Sequence, residues 1–330
     1  MQQRPLGRTG RSISEIGLGT WQLGADWGAV SEEDALAVLA ASAERGVTLF
    51  DTADVYGDGR SESLIGRFLA GRADHGITVA TKMGRRLPQE PENYTPENFR
   101  AWTDRSRANL GVDILDLVQL HCPPTAVIED DATYEALDAL VDAGTIAAYG
   151  VSVETCEQAL AAIARPNVTN VQIIFSPFRL KPLDDVLPAA AANGVAVFAR
   201  VPLASGVLSG KYTTETSFAD NDHRSYNRHG EAFDRGETFS GVDFEVGLAA
   251  AAELAAALPE GVSLPAATLA WIAAQSGVTS VIPGARNVGQ AQSNADAADA
   301  VSAGFDVDAF DAVVREVYDR RLREAIHPLW

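Results

Sequence analysis

Cysteine is nearly missing from this chain: Cys122 and Cys156 are the two in 330 residues, and neither sits in a CxxC pair. A disulfide framework is therefore excluded. Basic residues are scarce as well, 26 against 45 acidic, which gives a net charge of −19 and a pI of about 4.6. A surface that negative repels phosphate backbones and anionic lipid, so neither nucleic acid nor membrane is expected as a partner. No apolar run approaches the length of a bilayer, and Met1–Leu6 has no apolar core of the signal-peptide kind, so a cytoplasmic protein is expected. His75, His223, His229 and His327 show neither HxxxH nor HExxH spacing, and no metal is expected.

What is present is an ordinary globular composition, 46% hydrophobic and 22% charged, cut by Gly and Pro into an alternating series. Residues 4–12 read as a hairpin around Thr9-Gly10. Eight short apolar runs follow, at 13–18, 47–50, 77–81, 114–120, 146–151, 171–175, 195–199 and 279–282. Helical patterns separate them, opened by caps such as Ser31 with its acidic first turn and Thr95-Pro96. Strands separated by single helices imply right-handed βαβ crossovers and a parallel sheet. The first run gives Gly17-Leu18-Gly19-Thr20-Trp21-Gln22, which lacks the third glycine of a dinucleotide fingerprint and argues against an open doubly wound sheet. The expected fold is α/β: a single (β/α)8 TIM barrel over residues 1–330, with an N-terminal hairpin and extra C-terminal helices.

In such barrels the reactive groups stand at the C-terminal ends of the strands. The second run ends in Phe50-Asp51-Thr52-Ala53-Asp54-Val55-Tyr56-Gly57, the third in Thr81-Lys82-Met83 and the fourth in Gln119-Leu120-His121-Cys122. A lone buried Asp–Lys pair is commonly just an ion pair. An acid, a phenol, an ammonium and an imidazole at three successive strand ends are hard to explain by packing, and point to an active site. Cys122, next to His121 on a strand, is expected to face the opposite way, into the packing against helices.

These residues resemble the aldo-keto reductase superfamily, nearer its bacterial and potassium-channel-β-like branches. The resemblance also rests on Gly17–Trp21, Pro202-Leu203-Ala204-Ser205-Gly206 with Gly210-Lys211-Tyr212, and Ile282-Pro283-Gly284, and it spans the chain. It implies an oxidoreductase that reduces an aldehyde or ketone reversibly with NADPH, NAD(H) being second choice. Asp51, Tyr56, Lys82 and His121 are then the catalytic residues. Tyr56 gives the proton, Lys82 stabilises phenolate character, Asp51 orients Lys82, and His121 polarises the carbonyl. The implied cofactor contacts are Thr20, Trp21, Asp51, Ser152, Gln172, Arg200, the strap Pro202, Leu203, Ser205, Gly206 and Lys211, and the adenosine end Gly284, Arg286, Gln290 and Asn294. Arg286 is the expected partner of a 2′-phosphate. Trp21, Trp27, Tyr56 and His121 are expected to meet substrate. Val153, Arg200 and Ser293 depart from the common pattern.

Two rival functions stay open at this stage. Lys82 with a lowered pKa would suit a Schiff-base aldolase. A cofactor-binding redox sensor with slow turnover would suit the channel-subunit likeness. The small-molecule substrate is not specified: sugar, aliphatic and dicarbonyl compounds and pyridoxal all fit. Residues 213–243, polar and charged, read equally as a lid or as a solvated loop.

Overall fold

The computed structural model describes residues 1–24, 30–72, 76–300 and 304–330. Strands β1 (Gln3–Pro5) and β2 (Ser12–Ser14) form the antiparallel hairpin, with Arg4 opposite Ile13. Eight parallel strands follow: β3 (Leu18–Gly19), β4 (Leu49–Asp51), β5 (Thr78–Met83), β6 (Leu117–His121), β7 (Tyr149–Ser152), β8 (Asn170–Ile174), β9 (Ala196–Arg200) and β10 (Ser280–Val281). They pair in chain order. Bridges from Ile16 to Val281 and from Gly19 to Gly284 bring the last strand to the first and close the barrel.

The strand boundaries differ from expectation in two ways, each for a physical reason. The apolar run 13–18 is not one strand: its first part pairs in the hairpin and its last part enters the barrel. Several barrel strands also run past their apolar stretch, through Asp51, Met83, His121, Ser152 and Arg200. Hydrophobic patterning stops where the inward face turns polar, whereas the hydrogen-bonded ladder continues.

Alternation along each strand sorts residues into two cores. Outward side chains such as Phe50, Val79, Val118, Val151, Val171 and Val197 join the helix-facing core. Inward ones stack in layers, as barrels of this kind require. The lower layer is apolar: Leu49, Ala80, Leu117, Ala148, Ala196, Phe198 and Ile282 pack with Leu6 and Ile13 of the hairpin, which plugs the floor. Arg4 fixes that plug by donating to the carbonyls of Ala273 and Val278 at 2.7 and 2.9 Å. One step up the strands, the inward positions are Asp51, Lys82, Gln119, Gly150, Gln172 and Arg200, so the site is the barrel's second layer.

Gly150 shows how tight that layer is. A Cβ there would lie 2.0 Å from Asn170 Oδ1 and 2.4 Å from the Asn170 carbonyl on the neighbouring strand. Gly150→Ala is expected to destabilise the fold by about 1–3 kcal/mol, the usual cost of overpacking. A calorimetric Tm equal to or above that of the parent chain would contradict this layering.

Candidate active site

Lys82 is 1% exposed and lies beneath the floor of the cleft. Its Nζ donates to Asp51 Oδ2 at 2.6 Å, to the Thr52 carbonyl at 2.9 Å and to Tyr56 Oη at 3.3 Å. All three ammonium protons are thereby engaged. The other oxygen of Asp51 accepts from Gln172 Nε2 at 2.7 Å and Gln119 Nε2 at 3.4 Å. Thr20 binds the Asp51 carbonyl through both its N–H and its hydroxyl. Tyr56 is reached from β4 by the turn Thr52–Tyr56, stacks on Trp21 with ring centroids 5.9 Å apart, and meets His121 edge-on at 6.0 Å.

The protonation states follow from this enclosure. Burial alone would discharge Lys82, but Asp51 and then Tyr56 outweigh it and raise its pKa above the ordinary value. Burial raises the Tyr56 phenol, and the pull of Lys82 does not reverse it. Tyr56 therefore rests as a protonated acid. Burial, with Arg85, Lys82 and Arg200 nearby, holds His121 well below its ordinary value, so the imidazole is neutral. Its Nδ1 is buried with no hydrogen-bond partner among the described residues.

Above this group opens a cleft of about 1400 Å³. It is bordered by every site residue proposed from sequence except Lys82, which stands behind Tyr56, and Trp27, which lies outside the described residues. Its far wall is the strap 201–206, where Val201, Ala204 and Ser205 all take left-handed φ values near 50°. Such conformations cost energy in non-glycine residues and persist only where surroundings impose them. At the other end, Gln290 accepts the Arg286 N–H and Asn294 donates to the Gly284 carbonyl, so these two side chains shape the 284–286 turn. The Arg286 guanidinium forms no ion pair among the described residues. The nearby carboxylate of Asp296 pairs with Arg45 instead.

Three features were not legible in the sequence. Residues 213–243 are neither a detached lid nor a solvated loop: they roof the cleft with Phe218, Arg224, Tyr226 and Phe233, and send Glu237 inward. Ser205 anchors them, its hydroxyl donating to the Glu237 carbonyl and accepting from the Phe239 N–H. Trp330 pins the same segment, donating to Asp234 at 3.1 Å over Gly241, where any Cβ would strike the indole. Second, Arg200 pairs with Glu237 at 2.5 Å and donates to the Val153 carbonyl at 2.9 Å. Third, Cys122 does not face the helices. Its φ of 49° breaks the strand alternation and turns Sγ toward Ser152 Oγ at 3.5 Å and Arg200 at 3.8 Å. No spacing rule announces any of these: the first two depend on where a long connection lands, and the third on a left-handed φ at one residue.

Asp54, also in the tetrad's loop, is fully buried with both carboxylate oxygens unpartnered among the described residues. Burial, reinforced by Glu62 and opposed by Arg86 and Arg105, lifts its pKa to about 7. A carboxyl raised in the folded state binds protons that the unfolded chain releases, so stability falls as pH rises from about 4 to about 7. Asp54→Asn is expected to leave stability near pH 4 unchanged. At pH 8 it is expected to stabilise the fold, by on the order of 4 kcal/mol at most for a shift of this size. Denaturant unfolding of both proteins across that range checks it; a gain that does not grow with pH would contradict it.

The chain matches the family model described as "Aldo/keto reductase family" over residues 15–315. It is 31% identical over 298 residues to the aldo-keto reductase YhdN of Bacillus subtilis, covering 88% of this chain and 86% of that protein. It is 30% identical over 317 residues to the Schizosaccharomyces pombe protein named aldo-keto reductase yakc [NADP(+)], covering 93% and 88%. The structure of a glycerol dehydrogenase from Gluconobacter oxydans superposes with a TM-score of 0.77 at 28% identity, over 99% of this chain and 98% of that one. With the tetrad's residues gathered at one end of a closed barrel, the chain belongs to the aldo/keto reductase family.

Proposed function

We propose that this oxidoreductase reduces an aldehyde or ketone to the alcohol using NADPH, with Tyr56 as the proton donor. The observation that carries this reading is the enclosed Asp51–Lys82–Tyr56 chain, with a neutral His121 beside it at the base of an open cleft. The cleft fits the dinucleotide. Ser152 and Gln172 border its inner end, where Gln172 spends an amide N–H on Asp51 and, among the described residues, leaves its side-chain carbonyl available to a carboxamide. The strained strap and Lys211 suit the pyrophosphate, and Arg286 suits a 2′-phosphate. When bound, the nicotinamide supplies hydride to the carbonyl carbon.

This chain's residues manage the proton. Tyr56 donates it to the developing alkoxide, and the adjacent ammonium of Lys82 stabilises the phenolate left behind. Asp51 keeps Lys82 charged and aimed. His121, being neutral, offers an N–H to the carbonyl oxygen without competing to release a full charge. The Schiff-base alternative is disfavoured, because Lys82 is held protonated and does not border the cleft. The name of the yeast relative supports NADP over NAD.

Tyr56→Phe is expected to lower kcat for carbonyl reduction on the order of 10²–10⁴-fold while the Kd for cofactor changes little. A Phe variant with most of its kcat, on a substrate whose chemical step limits turnover, would overturn the assignment. For the cofactor, Arg286→Ala is expected to weaken NADPH about ten- to a hundredfold and NADH far less. Titrations that show equal losses for both, or a parent enzyme that prefers NADH, would remove Arg286 from that role.

A further inference from the structure

The guanidinium groups around the cleft are mostly spoken for. Arg200 is paired with Glu237, and Arg224 forms a two-point contact with Asp222 at 2.5 and 2.8 Å. Arg85 differs. It borders the cleft next to His121, and its Nε donates to the His121 carbonyl at 3.2 Å. Its Nη2 stands 3.5 Å from Glu154, well beyond the 2.7–2.9 Å of a firm charge-assisted bond. Its Nη1 has no acceptor among the described residues.

The group is nevertheless held in place. Gly84, with φ 117° and the Tyr94 ring 3.0 Å from where a Cβ would be, turns the chain so that Arg85 comes back over the end of β6. Gln89 clamps the same loop by donating to the carbonyls of His121 and Cys122 at 2.9 and 2.7 Å. Burial, and then Asp234, raise the pKa of Glu154; burial would lower that of Arg85, but Cys122, Glu237 and Glu154 outweigh it and keep the guanidinium charged. Across the cleft, Trp21 stacked on Tyr56 and Phe233 packed against Trp21 supply an aromatic wall. A fixed cation with an unused edge thus faces an apolar surface, and the proton donor lies between them.

We propose that Arg85 forms an anion subsite and that the enzyme's substrates are aldehydes or ketones carrying a carboxylate, an inference that rests on the carbonyl-reductase reading above. The planar guanidinium edge takes a carboxylate while the carbonyl of the same molecule lies at Tyr56 and His121. Arg286, which also borders the cleft, stands at the opposite end and does not compete for this group.

The test compares 4-carboxybenzaldehyde with its methyl ester, methyl 4-formylbenzoate, under saturating NADPH. The acid is expected to show a kcat/KM about ten- to a hundredfold above the ester, the usual worth of one charge-assisted contact. In Arg85→Met that ratio is expected to collapse toward one. A ratio near one in the parent enzyme, or one that survives Arg85→Met, overturns the proposal. Calorimetric binding of benzoate and benzamide to the cofactor-loaded parent protein gives an independent readout that needs neither a variant nor turnover. Tighter binding of benzoate supports the subsite, and equal binding refutes it. If no aldehyde is reduced at all, the carbonyl-reductase reading fails, and the benzoate comparison still decides the subsite.

Discussion

The site depends on keeping one ion pair charged inside the barrel. Lys82 and Asp51 are 1% and 3% exposed, and removing two such charges from water costs several kcal/mol per ion. That cost is offset because all three ammonium protons and both carboxylate oxygens find partners: Thr52, Tyr56, Gln172 and Gln119 complete the shell. The apolar layer below, sealed by the hairpin, provides the compact packing that carries this polar layer. Tyr56 inherits its chemistry from the arrangement. Burial pushes it toward its neutral form, and the Lys82 ammonium stands 3.3 Å from its hydroxyl.

A second pair, Arg200 with Glu237, balances the first across the cleft. Arg200 and Arg85 hold Glu237 below the usual carboxylate range although burial opposes this. The charges enclosed at the base of the cleft are thus compensated, while Arg286 at its other end forms no ion pair among the described residues and the molecule as a whole carries −19. Anionic ligands approach against that general field and are received by local cations. This explains why so acidic a protein keeps arginines at the mouth of its site.

Much of this was readable in advance, and the boundary is physical. Eight apolar runs revealed eight strands, because strands buried on both faces must be apolar over most of their length. The tetrad was readable because Asp51, Lys82 and His121 each interrupt such a run at its end, and Tyr56 follows within a few residues. Strand termini were misjudged for the same reason, since polarity and strand end do not coincide at Asp51, His121 or Arg200. Glu237 and Arg85 were not identified. Their roles come from long connections folding back, and neither lies at a distinctive spacing from its partner. Cys122 was placed on the wrong face because strict alternation fails once a residue adopts a left-handed φ.

The manner of barrel closure bears on how the chain comes to be made. β3 gains its second neighbour only when β10 arrives, and the plug's Arg4 reaches a carbonyl at Val278, 274 positions later. At synthesis rates of roughly 5–20 residues per second, the first strands wait on the order of 15–60 s for their last partners. Through that interval the nascent sheet has an unpaired edge, and its floor residues Leu6 and Ile13 lack part of their final enclosure. Open edges and bare apolar faces invite association with other chains. As the chain lengthens past its first strands it gains net negative charge, reaching −19 at full length, and that charge repels neighbouring copies.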